Sequence, residues 1–250
     1  MEASDRPDDD PRTDPVGGLD AVWDATARLL ATAHRVDEAA LAQPSGCPGW
    51  SRAHVLGHLA RNADGLTRLC EWARTGVPNP MYESAQSRAA GIETAARQPR
   101  TSLLEDLAAS SERFASAFGG LSGDMWRRRV RLGPGGGGAE IRASRIGWQR
   151  LKEVEIHHVD LSFGYSPADW PEGFVDRALA QTLRMFRRRD DVPSVRVAVT
   201  GSEPEQLGPS GGPTVSGPRA PLLAWLTGRS LGEDLTVDPP ETPPSLPAWA

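Results

Sequence analysis

Residues 150–161 read RLKEVEIHHVDL and bring two glutamates, two histidines and an aspartate within eight positions of an apolar-spaced segment. Imidazole nitrogen and carboxylate oxygen are both accepted by zinc, so the first chemistry to consider is metal binding. Glu153 and His157 are four residues apart and on a helix lie one above the other on one face. Glu155, His158 and Asp160 project elsewhere and suit supporting or surface roles. Asp160, close to the expected helix end, reads as a solvated or cap-competing carboxylate. A second pair, His54 and His58 in SRAHVLGHLA, has the same four-residue spacing, so four of the five histidines fall in these two segments. Two histidines and one glutamate leave a coordination position open, which is the pattern of a catalytic zinc site; a structural site would be closed. Spacing alone leaves either His54 or His58 to complete a set with Glu153 and His157.

Such a set needs two helices held side by side. Ser51 is a good N-cap for a helix running to about residue 74, with Val55, Leu56, Leu59, Leu66, Leu69 and Trp72 on its inner side and both histidines in its first two turns. The acid- and histidine-rich segment predicts a second helix over about 144–163, ended by GYSPADWP. Further helices are expected over 19–41, 84–97 and 101–119, the first from the recurrence of Leu19, Val22, Trp23, Leu29, Leu30, Ala33 and Val36 at three- and four-residue steps. Bundles of this kind build metal sites from inward-facing residues of separate helices. Residues 126–142, with WRRRVRL, GPGGGGA and EIRA, read as a short hairpin or flexible loop; the glycines lack the strand and helix context of a phosphate loop. After a helix over 172–189 the texture changes. SVRVAVTG alternates with period two, PTVSG and DLTVD are short strand candidates, and APLLAWLTGR is a short helix. The proline-rich end is extended, with Trp249 packing back onto the body.

The expected organisation is therefore α+β: an acidic disordered tail over 1–17, a helical bundle over 18–165, and a smaller α+β domain over 166–250. The tail MEASDRPDDDPRTDP is too charged and proline-rich to order itself, and it lacks the basic-then-apolar order of a signal peptide. With no run of roughly 20 apolar residues, a membrane span is not expected, and the location read from this is cytoplasmic. A net charge of −5 disfavours nucleic acid as a partner, despite local clusters such as MWRRRVR. Cys47 and Cys70 form no CxxC pair and are read as plain loop or core residues.

PGWSRAHVLGHLARNADGL, NPMY, KEVEIHHVDL and AWLTGR, in this order and at these separations, resemble the mycothiol-dependent maleylpyruvate isomerase family. The resemblance runs from about residue 19 to the proline-rich end; Lys152 stands where the family often has arginine. It implies a DinB-like four-helix bundle followed by a C-terminal α+β domain, with a divalent metal, usually zinc, held by His58, Glu153 and His157, and His54 in support. It also implies a role in activity for Arg229 of the TGR motif, and a lesser one in cofactor binding for Arg88, after PMY. The activity implied is isomerisation of maleylpyruvate to fumarylpyruvate with mycothiol as thiol cofactor, a step of gentisate degradation, in a monomer. Two other functions fit the same residues: mycothiol S-transfer onto another electrophile, and a non-enzymatic zinc-binding interaction module.

Overall fold

The computed structural model of the protein describes residues 11–14, 16–240 and 242–249. It is an α+β structure in two compact units, 1–165 and 166–250. The first ten residues of the expected acidic tail, and residue 15, lie outside the described residues. The described part of that tail departs from the expectation: Pro11–Thr13 forms a 3-10 turn, and Arg12 donates to the carbonyl of Gly119, 3.3 Å away. That carbonyl is one of the open acceptors at a helix C-terminus, where a cation is favourable.

Among the described residues the first unit holds the α-helices α1 (Leu19–Ala33), α2 (Glu38–Leu41), α3 (Arg52–Thr75), α4 (Ala85–Ala96), α5 (Arg100–Gly119) and α6 (Ile146–Asp160). A two-stranded antiparallel hairpin, β1 (Arg129–Arg131) with β2 (Glu140–Arg142), precedes α6, as the sequence suggests. The four long helices α1, α3, α5 and α6 pack side by side, with α3 against α5 and α6 and α1 against the same two. Leu56, Leu59, Leu66 and Leu69 of α3 are fully buried with Leu103, Leu107 and Phe114 of α5. Each such side chain removed from water contributes roughly 1.5–3 kcal/mol. The expected helix 19–41 is interrupted. Asp37 accepts from Ala40 N at 2.7 Å and caps α2, so the chain leaves α1 at His34 and restarts four residues later.

Arg150 ties three of these helices together. Fully buried on α6, it donates to Leu59 O at 2.7 Å, to Asn62 Oδ1 at 3.0 Å and to Ser111 Oγ at 3.3 Å. Burial lowers its pKa to about 10, which leaves it charged at neutral pH.

The second unit is smaller. Helix α7 (Glu172–Phe186) is followed by a four-stranded sheet in the order β4-β3-β5-β6, made of β3 (Val195–Val199), β4 (Glu205–Leu207), β5 (Thr214–Gly217) and β6 (Thr236–Asp238). β3 and β5 are parallel and the outer pairings antiparallel. Helix α8 (Arg219–Leu226) packs on α7. Trp249 donates from its indole to Thr182 Oγ1 of α7 at 3.2 Å, so the proline-rich end does return to its unit. Among the described residues no helix is long and apolar enough to cross a membrane.

Candidate metal centre

The centre lies where α3 and α6 meet, and the local chemistry of each helix start explains how. Ser51 caps α3: its hydroxyl accepts from His54 N at 3.4 Å, while Ser51 N donates to His54 Nδ1 at 3.3 Å. His54 is thereby drawn back to the cap, and its Nε2 reaches Glu93 Oε2 of α4 at 3.0 Å. His58, one turn on, faces inward and is 3% exposed. A capping box and an ion pair thus both turn His54 aside, and it is His58 that meets Glu153 and His157.

Three ligand atoms converge. His58 Nε2 lies 2.9 Å from Glu153 Oε2, and His157 Nε2 lies 3.5 Å from the same oxygen. One ligand atom from each of the three residues falls within 4.8 Å of the others. The His58 and His157 rings meet edge to face with centroids 4.7 Å apart. Exposure grades across the set: His58 shows 4% of its side chain, His157 15% and Glu153 34%, so the cluster opens on the glutamate side. Burial lowers the His58 pKa below the ordinary histidine value, against the pull of Glu153. For Glu153, crowding by protein would raise the carboxyl, but bonds to His157 and His58 prevail and hold it well below the usual range. Burial likewise opposes protonation of His157, yet Asp160, then Cys47 and Glu153, raise it well above 6.5.

The aspartate at the helix end corrects the expectation for it. Asp160 is 2% exposed, and its Oδ2 accepts from His157 Nδ1 at 2.8 Å and from the Cys47 thiol at 3.2 Å. A histidine whose Nδ1–H is bound to a carboxylate presents its Nε2 lone pair to a metal in a fixed orientation. What buries Asp160 is the turn before α3. Gly46 N donates to Asp160 O at 2.7 Å, and a Cβ on Gly46 would stand only 3.1 Å from Asp160 Cα. Arg52 fastens the same junction by donating to the carbonyls of Leu161 at 2.6 Å and Ala40 at 3.0 Å. Cys47 is therefore not a plain loop residue; its sulfur lies 3.7 Å from His157 Nδ1. Cys70 is buried in α3, and burial pushes its thiol pKa far up.

Arg88 reaches the centre. It stands in the first turns of α4, which approaches α3 closely: a Cβ on Gly57 would meet the Ala95 methyl at 2.9 Å. Its Nη2 lies 3.3 Å from His58 Nδ1, and its guanidinium sits 5.8 Å from the ring centroid of the buried Tyr82. Trp50 adds an aromatic wall, 5.4 Å from the His58 ring. Arg229 belongs to the second unit, just beyond α8, where it donates to Thr227 O at 2.6 Å and lies 5.9 Å from the Trp249 ring. Glu155 and His158 are not in the cluster. Glu155 accepts from Arg28 at 2.7 Å and from Tyr165 at 2.6 Å, and His158 pairs with Thr32 at 2.9 Å. Sequence reasoning missed Trp50, Tyr82, Cys47 and the orienting role of Asp160; only the i,i+3 relation of Asp160 to His157 could have signalled one of them.

The donor set suits a divalent cation: two imidazoles and a partly exposed carboxylate, with the second ring nitrogen of one histidine held by a buried acid. The family model described as the mycothiol maleylpyruvate isomerase N-terminal domain matches residues 22–162. Two solved structures are similar over nearly the whole chain. One is a crystal structure of the mycothiol-dependent maleylpyruvate isomerase and the other a histidine-to-alanine mutant of it. Each is 27% identical, with 92% of this chain and 95% of that chain covered and a TM-score of 0.86. No match was found among curated proteins.

Proposed function

We propose, from the premise that this chain belongs to the mycothiol maleylpyruvate isomerase family, that it isomerises maleylpyruvate to fumarylpyruvate with mycothiol at a zinc centre. The observation that carries the reading is the convergence of one ligand atom each from His58, Glu153 and His157 within 4.8 Å, with a third of the Glu153 side chain exposed. His58 Nε2, Glu153 and His157 Nε2 would hold the cation. Bound there, it would supply Lewis-acid stabilisation of a thiolate at neutral pH, against a free thiol value of about 8.5. Mycothiol would supply reversible addition to the conjugated double bond, whose temporary single-bond character allows rotation from cis to trans.

The chain's own residues do the rest. Asp160 keeps the Nδ1 proton of His157 in place, so that Nε2 is turned toward Glu153 and His58. Trp50 and the packed α3–α6 junction restrict water on the His58 side. Arg88 and Arg229 are the proposed anion-binding groups, because a guanidinium fork pairs with a carboxylate or a developing enolate. Neither Cys47 nor Cys70 is required as a nucleophile.

The test is the ultraviolet absorbance of freshly generated maleylpyruvate with zinc-loaded protein, with and without mycothiol, and identification of the product by chromatography. Thiol-dependent fumarylpyruvate with the thiol recovered unchanged is the expected result. Consumption of the thiol into a stable adduct with another electrophile, and no isomerisation, would replace isomerase by S-transferase. Arg229→Ala is expected to keep its zinc and lose turnover; an unchanged rate would reduce Arg229 to its observed bond at the end of α8.

A further inference from the structure

The run GPGGGG, residues 133–138, forms the tip that joins β1 to β2, and it packs on the chain that leads into α4. Gly135 N donates to Tyr82 O at 2.8 Å, and Tyr82 pairs with Pro134 in an isolated parallel bridge. Gly135 has a left-handed φ of 60°, and a Cβ there would stand 3.5 Å from Glu83 O. Within the tip, Gly138 N donates to Leu132 O at 2.8 Å, and a Cβ on Gly138 would come 2.5 Å from that oxygen. Glycine at these two positions lets one backbone approach another.

Helix α3 holds the other side of the same segment. Arg68 donates to Met81 O at 3.0 Å, and a Cβ on Gly65 would stand 3.2 Å from the Met81 side chain. Two residues beyond Tyr82, Ser84 opens α4 through a capping box with Ser87, both bonds 3.0 Å long, which sets where Arg88 falls in the first turns. The Arg88 guanidinium then stands 5.8 Å from the centroid of the Tyr82 ring and 3.3 Å from His58 Nδ1. The Tyr82 residue is 8% exposed, and Arg88 is half-buried. An arginine has many rotamers to lose when it takes an anion; one that already rests on a fixed aromatic ring has lost part of them beforehand.

We infer that the glycine tip is a positioning device for the anion-binding site: the bond from Gly135 fixes Tyr82, and the Tyr82 ring pre-sets Arg88 to take one carboxylate of a dicarboxylate substrate beside the metal centre. This rests on the reading of Arg88 as an anion-binding residue. Tyr82 and Gly135 are positioning residues that act through Arg88. Burial raises the Tyr82 pKa above the ordinary tyrosine value; Arg88 opposes that rise and Glu153 adds to it, so the phenol is within electrostatic reach of both and stays neutral at neutral pH.

The experiment measures binding of maleate, an unreactive dicarboxylate, to the zinc-loaded full chain without mycothiol, by calorimetry, with zinc content and thermal midpoint recorded for every variant. Arg88→Met is expected to weaken maleate by about tenfold or more. Tyr82→Leu and Gly135→Val are each expected to weaken it by about fivefold with zinc content unchanged. Gly135→Asn, which tolerates a left-handed φ, restores binding. Gly123→Val supplies the control for backbone strain: Gly123 has a φ of 52° and nothing within 4 Å of a Cβ, so this variant is expected to melt earlier and bind maleate like wild type. Because the three residues act in series, Gly135→Val adds nothing to Tyr82→Leu, and Tyr82→Leu adds nothing to Arg88→Met. Losses that multiply in either double variant overturn the inference, and so does a folded Gly135→Val that binds maleate like wild type or lacks zinc. If Gly135→Val fails to fold, the Tyr82 and Arg88 pair alone decides. Maleate binding that survives in Arg88→Met overturns the anion-binding reading of Arg88 and this inference with it. The expected binding pattern together with no isomerisation of maleylpyruvate would overturn the isomerase reading alone.

Discussion

Helix α6 carries two interleaved acid and histidine sets, and the fold treats them in opposite ways. Glu153 and His157 look toward α3, where His58 adds a third possible ligand atom. Glu155 and His158 look toward α1 and the end of the unit. Glu155 is bonded by Arg28 and Tyr165, and the His158 ring stacks on Tyr165 with centroids 3.7 Å apart. The residue types are the same and the spacing nearly so. What separates them is the partner each face meets: hydroxyls and the Arg28 guanidinium bind one set from α1 and the end of the unit, while the other meets a second histidine, His58, and gathers three possible ligand atoms within 4.8 Å. A carboxylate and an imidazole become a site when their neighbours leave work for a ligand.

The sharpest way to break this contrast is to remove one residue from each face. His58→Ala, Glu153→Ala or His157→Ala should each abolish stoichiometric metal, read by elemental analysis of purified protein, and take activity with it. Full occupancy in all three would remove these residues from the coordination sphere. Glu155→Ala should do the reverse. Its carboxylate is 1% exposed, burial pushes its pKa up against Tyr165 and Arg28, and both partners lose their acceptor in the variant. A loss of about 2–3 kcal/mol follows, or roughly 5–10 °C in thermal midpoint, with metal content unchanged. A Glu155→Ala protein that melts like wild type but lacks metal would invert the assignment of the two faces.

The sequence made the helix pair legible, and which histidine of α3 meets Glu153 and His157 less so. Ser51 as a cap and the period of α3 were readable because capping and amphipathic spacing are local. The choice of His58 over His54 came from resemblance alone, since the facts that decide it are the Ser51 bonds and the distant Glu93. Asp160 and Cys47 were misjudged for a related reason. Near a helix end an aspartate is ordinarily solvated, and only the fold of residues 44–52 over that end buries this one. β4 escaped because Glu205–Leu207 is three residues long and shows no alternation to read; its pairing with β3 defines it. The break after α1 was carried by Asp37, whose capping strength outweighs the apolar pattern that continues through Leu41.

Asp160→Asn sharpens the comparison more gently, because it keeps every ligand and alters only how His157 is held. Loss of the carboxylate on Nδ1 should weaken zinc binding by about 10–100-fold at neutral or higher pH. The size of that deficit should depend on pH. In the metal-free protein burial alone would lower the His157 pKa, but Asp160 leads the groups that raise it well above 6.5, so His157 holds a proton that zinc must displace. Wild-type affinity therefore falls as the pH drops below that raised value, by up to about tenfold per unit. In Asp160→Asn the raised value comes down, and over the same interval less of the variant's His157 is protonated. Its affinity falls less, and its deficit relative to wild type narrows as the pH is lowered. Zinc titration calorimetry at two pH values, in buffers of different ionisation enthalpy, reads both the affinities and the proton released. Equal deficits at both pH values, with equal proton release, would mean that Asp160 orients the ring without setting its proton affinity.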